Sequence, residues 1–415
     1  MLTRYLGNKT RLLGPILEEV GRCVPLSERP RVGDFFAGTM SVALALKAAG
    51  CRVAANDVQA FSGIVGEAFV LNDTVPAVPP NLVPRRAQND ALDALVGTDG
   101  FHCLAHHSHR QAYARILDVL DYLASLGEPA DGTKSPSYFF DTYTEQGANS
   151  AFQSRRGSSG RRRFFTPENG RRIDRVMNQL RMWWQSGLIN RALYTLLVSC
   201  MLRAVEKVSN TQGTYHDFPR DRYDRRALNP LTFEPPPMDQ LLVGGTHHIA
   251  VGDALVFAKT VTGLDILYLD PPYNFRQYTA YYFLPNLMAR YGEMSQAQLR
   301  DWFAGVQYVR GQNMADDFQS SFCRKTTFIQ DLGRLVDSCR PRYVILSYFD
   351  GRNHWHTHQH DDQGVGQAKL NAFFETSRFD CNVRVRPINR QNYQSHGGHP
   401  SRKVLEFLYV AKTTW

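Results

Sequence analysis

Cysteine is sparse, and the cysteines present form no pattern: seven lie scattered through 415 residues, with no C-x-x-C pair among them. That argues against a zinc ribbon and a disulfide framework, and fits a reducing cytosol. No apolar run approaches the ~20 residues of a membrane span. No apolar segment follows the charge at Arg4, so no secretory leader is expected. There is no internal repeat. Acidic residues are outnumbered by basic ones, 39 to 48, for a formal charge of +9, a balance that favours a polyanionic partner. The expectation is a cytoplasmic protein without a membrane partner.

Hydrophobic residues make up 43% of the chain, enough for a sizeable core. Residues 1–75 alternate helix and strand, the pattern of an α/β sheet. Leu12, Leu13, Ile16, Leu17 and Val20 fall at helical spacing. Residues 32–36 read as a strand ending at Ala37-Gly38, 41–49 as a helix stopped by Gly50, and 53–55 as a strand ending at Asn56-Asp57. Pro76, Pro79, Pro80 and Pro84 then break regular structure. Residues 154–163 read as a flexible basic loop. Ile173, Val176, Met177, Leu180 and Trp184 mark an amphipathic helix, with Trp183 and Trp184 as packing residues, and 192–208 is a buried helix. After Pro235-Pro236-Pro237, apolar strands return at 265–269, 343–348 and 405–410. The expected organisation is one α/β domain, 1–75 and 239–415, split by an insertion at 76–238.

The chemistry lies in Asp270-Pro271-Pro272-Tyr273, just past an apolar strand, where open α/β sheets bind ligands. Two prolines fix φ and remove two backbone donors. The stiff turn displays the Asp270 carboxylate and the Pro271 carbonyl as acceptors, with an aromatic ring beside them. That set suits a planar base with an exocyclic amino group, whose two hydrogens each find an acceptor. The nitrogen lone pair then becomes available to attack a sulfonium methyl, and Tyr273 can stack on the base. Catalysis of this kind is mostly orientation and electrostatics.

On the cofactor side, Asp34 to Thr39 follows the first strand and opens a helix, with Gly38 allowing close backbone approach. The turn is not G-x-G-x-x-G, and a sulfonium cofactor needs no phosphate cradle. Asp57, 23 positions after Asp34, is placed to hold ribose hydroxyls. Asp253 is a candidate for the cofactor's adenine amino group; its other use is as a helix cap.

Tyr5-x-Gly7-Asn8-Lys9, the Asp34–Gly38 turn, Asn56-Asp57 and the D-P-P-Y string occur in the order of the alpha-group, Dam-like adenine-specific DNA methyltransferases. The chain resembles most the FokI-type modification methylases of restriction systems, also at residues 164–174, 207–215 and 274–278. The resemblance implies a Rossmann-like class I S-adenosylmethionine-dependent methyltransferase domain with a largely helical DNA target-recognition region inserted before D-P-P-Y. It implies S-adenosyl-L-methionine as cofactor, S-adenosyl-L-homocysteine as product and no metal. Tyr5 and Lys9 would border the cofactor's amino acid end, Lys9 pairing with its carboxylate, and Phe36 would line the pocket. Met40 departs from the pattern, since many relatives carry a second glycine there; a positive φ would make methionine costly.

Double-stranded DNA is the expected partner, with a cognate restriction endonuclease a candidate second one. Arg155, Arg156, Arg161, Arg162, Arg163, Arg171, Arg172 and Arg175 cluster in a short span suited to phosphate contacts. Asn210 lies among small polar residues suited to DNA, and Arg276, Gln277 and Tyr278 could hold the strand around the target. Arg384, Arg386, Arg390 and Gln391 are further candidates. The His354–His360 run reads as a polar loop rather than a metal site. The alternatives are an enzyme acting on cytosine N4 or RNA, or a DNA-binding regulator with a decayed cofactor pocket.

Overall fold

The computed structural model of the chain describes residues 4–86, 90–127, 135–154, 157–211, 213–349, 354–355, 364–391 and 403–415. Nine strands run in chain order: β1 (Arg31–Phe35), β2 (Arg52–Asp57), β3 (Ala151–Gln153), β4 (Ser159–Arg161), β5 (His248–Val251), β6 (Ile266–Leu269), β7 (Tyr343–Phe349), β8 (Arg384–Gln391) and β9 (Lys403–Lys412). Seven of them form one sheet in the order β5-β2-β1-β6-β7-β9-β8, and β3 pairs with β4 as a separate hairpin. The first five sheet strands are parallel, in register at Val32↔Val53 and Val32↔Ile266; β9 runs antiparallel to β7, and β8 to β9.

The central strands explain their own placement. All four residues of β6 and the last four of β1 are buried, as parallel strands covered on both faces require. The apolar run 265–269 is thus legible because it has no solvent face. Edge strand β8 is polar and contains Pro387, which only an edge tolerates. The N-terminal helix expected from Leu12, Leu13, Ile16, Leu17 and Val20 starts as a 3-10 turn at Thr10–Leu12 and becomes α-helical over Leu13–Cys23.

The chain divides into two units. The sheet unit comprises Leu6–Gly66, Gly245–Tyr278 and Phe318–Trp415. The helical unit comprises Met1–Tyr5, Glu67–Gly244 and Thr279–Asp317. The helical unit is built on helices Pro167–Gln185 and Arg191–Val208. Thr166 caps the first from its side chain, with Pro167 at the first position, and Asn190 caps the second. Residues 279–317 join this unit because helices Phe283–Tyr291 and Gln296–Ala304 flank a segment that binds Pro167–Gln185: Arg181 and Gln185 donate to the Met294 and Gly292 carbonyls at 3.0 Å, and the Tyr291 hydroxyl donates to Asn178 at 2.7 Å. Trp183 stacks on Tyr122 and Trp184 on Tyr194, so both pack, as their spacing indicates. All seven cysteines are free, and no described helix is long and apolar enough to cross a membrane.

Candidate active site

The turn after β1 is held by the acid at the end of β2. Asp57 accepts from the Gly38 N–H at 2.8 Å with one oxygen and from the Gln59 N–H at 2.9 Å with the other. The Ser62 hydroxyl donates to the Gly38 carbonyl, and the Ala37 N–H to that of Asn56 at 3.0 Å. Three residues here are left-handed: Phe36 at φ 67°, Gly38 at 53° and Met40 at 61°. The Met40 position therefore has the conformation that favours glycine, and its side chain is nevertheless fully buried at the start of helix Ser41–Ala48. Burial pushes the Asp57 carboxyl up to about 6, against the pull of the Gln59, Gly38 and Val58 amides. Asp34 is held well above the ordinary carboxylate range by burial and then by the neighbouring Asp270 charge, and its Oδ2 is buried with no hydrogen-bond partner among the described residues.

Asp270 leaves β6 with its amide 3.5 Å from the Phe35 carbonyl. Lys9 Nζ lies 2.9 Å from Asp270 Oδ1 and also meets Glu406 Oε1, on β9. The Ser347 hydroxyl, on β7, donates to the same Glu406 oxygen at 2.6 Å. Lys9 is therefore buried between two carboxylates of the protein itself. Gly7, two residues before Lys9, has φ 83°, and a side chain there would start 3.9 Å from the Tyr273 hydroxyl. Tyr273 packs its ring 5.4 Å from Phe349 and 6.4 Å from Tyr348. Phe36 meets Phe322 edge-on at 4.8 Å.

The segment after the turn is anchored. Asn274 is buried and accepts from the Arg276 amide at 3.0 Å, the Arg276 carbonyl accepts from the Cys323 thiol at 3.1 Å, and Gln277 accepts from the Ser320 amide at 3.1 Å. Gln277 thus spends its carbonyl within the protein. The Tyr278 phenol is pushed well up by burial, by Tyr273 and by the Asp270 charge. Between the anchors Phe275 is 79% exposed. Asp253 accepts from the Leu255 and Val256 amides with one oxygen, capping helix Ala254–Phe257.

In the helical unit, two candidate DNA contacts are spent on structure. Arg162 is 1% exposed and donates to the Asn149, Tyr308 and Val309 carbonyls, which leaves a phosphate no access to it. Asn210 is fully buried, donating to the Arg163 and Arg222 carbonyls and accepting from the Asp224 amide. Ser159–Arg161, expected within a flexible loop, is a strand of the hairpin. Arg163 pairs with Glu145 at 2.7 Å, and Arg172 donates to the Leu231 carbonyl at 3.2 Å. Arg161 and Arg171 remain exposed, Arg161 tied to the Gly147 carbonyl and Arg171 lying over the Phe140 ring. Arg155 and Arg156 lie outside the described residues. Tyr5 stacks on Tyr282 at 4.4 Å within this unit. In the sheet unit, Arg384 and Arg386 pair with Glu19 and Glu18, an internal use of side chains considered for DNA. His354 is buried against Phe328 and Trp355, with burial lowering its pKa to about 4; His356, His358 and His360 lie outside the described residues. No group of three or more metal-ligating side chains gathers among the described residues.

A mostly parallel α/β sheet with buried carboxylates at the carboxyl ends of adjacent strands has the edge at which such sheets bind ligands. The sequence narrows this class: the chain belongs to the D12 class of N6 adenine-specific DNA methyltransferases, a family it matches over residues 5–93 and 104–332. It is 27% identical to the type II methyltransferase M.NlaIII of Neisseria lactamica over 262 residues, 62% of this chain and 70% of that protein. It is 30% identical to the modification methylase LlaI of Lactococcus lactis subsp. lactis over 290 residues, 69% of this chain and 38% of that protein. Over 190 residues it is 30% identical to the type II methyltransferase M.FokI of Planomicrobium okeanokoites, 45% of this chain and 27% of that protein. The match thus spans well under two thirds of the two longer relatives. No solved structure matches the chain. Glu406 and Ser347 lie beyond the stretch the family pattern covers, and no sequence motif marked them; an acid alone in the apolar strand 405–410 was the one available signal.

Proposed function

We propose that this chain transfers a methyl group from S-adenosyl-L-methionine to the N6 amino group of adenine at a specific sequence in double-stranded DNA, on a Rossmann-like class I fold. The observation that carries this reading is the placement of Asp34 and Asp57 at the carboxyl ends of β1 and β2, beside the D-P-P-Y turn that follows β6, inside a family of adenine methyltransferases. The residues fit the cofactor. Asp34 Oδ2 lacks a partner among the described residues, and the buried acids Asp34, Asp57 and Glu406, with Asp270, outnumber the Lys9 ammonium that pairs with two of them. That surplus suits a ligand carrying positive charge. When bound, S-adenosylmethionine supplies a methyl group on a positively charged sulfur.

The chain's own residues hold and orient. Asp34, Phe36, Gly38, Asp57 and Asp253 line the cofactor side. Asp270 and the Pro271 carbonyl accept the two N6 hydrogens, Pro272 stiffens the turn, and Tyr273 walls the base. With the cofactor bound, Asp270 and the Pro271 carbonyl would turn the N6 lone pair towards the methyl group, the bonding electrons would stay with the departing sulfur, and Asp270 would take up the surplus N6 proton afterwards. No step calls for a metal. Arg155, Arg156, Arg161, Arg163, Arg171, Arg172 and Arg276 are the cations left to face DNA. A restriction endonuclease cutting the same sequence would be the cellular companion, in the cytoplasm.

Modification-sensitive sequencing of DNA from cells expressing the chain tests the reading. N6-methyladenine at one recurrent short sequence is expected, lost with Asp270→Ala. N4-methylcytosine instead, methylated RNA with unmodified DNA, or unmodified DNA beside folded protein overturns it.

A further inference from the structure

The ion pairs around Lys9 place a third charged group next to the reacting centre. Glu406 is fully buried on β9, where it pairs with Phe349 of β7, and its side chain reaches Lys9 and the Ser347 hydroxyl. Lys9 is 4% exposed, and its ammonium spans from Glu406 to Asp270. A lysine seldom lies this deep, and a buried ammonium with one anionic partner removed is strongly disfavoured. Lys9 comes from a turn that Gly7 starts at positive φ, so its backbone alone does not dictate where the long side chain ends. Glu406 supplies the second fixed point.

We propose that Glu406 is a positioning residue for methyl transfer: it holds the Lys9 ammonium against Asp270 and so fixes the rotation and charge of the carboxylate that receives the target amino group. The inference rests on the methyltransferase reading above. Glu406 itself touches neither base nor methyl group. It acts through Lys9, as outer partners orient the ligands of other sites. The titratable groups facing this trio are Asp34 on β1, Tyr268 on β6, and Tyr273 and Tyr278 beyond the turn, with the Arg276 cation beside Tyr278. Two carboxylates favour the charged form of Lys9; with one neutralised, Lys9 gives up its proton at lower pH.

The test is steady-state kinetics of the full chain with Glu406→Gln, beside Lys9→Met and the double variant. Glu406→Gln should lower kcat by about 10- to 100-fold, the scale of a small misplacement at a reacting centre, and leave KM for DNA and S-adenosylmethionine within about twofold. The alkaline limb of its pH–rate profile should move to lower pH. Combined with Lys9→Met it should add no further loss, because both changes break one unit. Wild-type kcat and an unmoved alkaline limb in folded Glu406→Gln overturn the proposal, as does full additivity with Lys9→Met. If Glu406→Gln does not fold, Lys9→Met/Glu406→Leu, which removes both buried charges, replaces it. Rates equal to those of Lys9→Met alone support the proposal, and a further tenfold loss overturns it. Asp270→Ala separates the two readings: if that variant still transfers methyl, the catalytic assignment fails; if it is inactive while Glu406→Gln is normal, only the positioning role fails.

Discussion

Met40, at φ 61°, occupies backbone space that costs an L side chain roughly 1–2 kcal/mol. Its side chain is fully buried, and truncating a buried methionine costs about 2–5 kcal/mol. The second figure is larger, so packing keeps methionine at a glycine-like position. Met40→Gly should therefore lower stability to denaturant although it relieves the backbone, and Met40→Ala, which loses the side chain without the relief, should be about 1 kcal/mol worse than glycine. A glycine variant more stable than the parent would show that the thioether packs poorly. At the neighbouring acids, pH matters. Asp57 titrates at about 6 against an ordinary value of 3.8, so it binds a proton more tightly folded than unfolded. Its contribution to stability falls as pH rises through that interval and is level above it. A cationic ligand favours the ionised acid. Cofactor affinity should weaken below pH 6 by up to about tenfold per unit, and binding at pH 6 should release protons, read by titration calorimetry in two buffers of different ionisation enthalpy. Equal heats in both buffers would mean that Asp57 is ionised before the ligand arrives.

Among the elements, legibility followed burial. Helices Pro167–Gln185 and Arg191–Val208 and strands β1, β6 and β7 were readable because apolar side chains recur at the period of the element that buries them. Strand β8 was missed because its alternation is arginine against apolar residues around a proline, a pattern only an edge position makes sense of. Strand β4 falls inside the stretch 154–163 that reads as loop, because glycine, serine and arginine dominate it. The same blindness affects the arginines. Sequence treats Arg161, Arg162 and Arg163 alike, whereas only folding reveals that Arg162 is spent on three carbonyls. Neutralising Arg155, Arg156 and Arg171 together should weaken binding to any duplex and flatten the salt dependence by roughly 0.9 in log–log slope per lost phosphate contact. Arg162→Ala should instead lower the unfolding temperature, because it empties a fully buried site and removes the hydrogen bonds to the Asn149, Tyr308 and Val309 carbonyls. A salt slope that survives the triple change would place those side chains away from DNA.

For the molecule as a whole, the formal charge of +9 and the family assignment both point to a duplex substrate, but an adenine amino group inside a duplex is tied up in pairing. If Asp270 and the Pro271 carbonyl take both N6 hydrogens as proposed, they cannot reach them while the base is stacked; the prediction is that the base leaves the helix, at a cost of a few kcal/mol offset by stacking and two hydrogen bonds. A fluorescent adenine analogue at the target position should brighten on binding and brighten less with Tyr273→Ala. Exposed Phe275, on its anchored loop, is expected to meet the opened duplex, so Phe275→Ala should reduce the brightening as well. No brightening at saturating protein, together with no gain in affinity from a mismatch at the target, would rule extrusion out.

The sheet unit is assembled from three stretches of chain, and Lys9 meets a partner 397 residues further on. During synthesis at about 5–20 residues per second, roughly 20–80 s separate the two ends of that ion pair. Until β9 has been made, β7 has no neighbour on one side, and the ammonium beside Asp270 lacks its second anion. A ribosome-bound fragment can thus hold the D-P-P-Y turn and the glycine turn and still be unable to complete the site. The strand order places β9 between β7 and β8, so the Lys9–Glu406 pair can form only after β9 has been added. In a cell where modification must keep ahead of cutting, the time from initiation of translation to the first protected site has a floor set by this strand order, however fast the finished enzyme turns over.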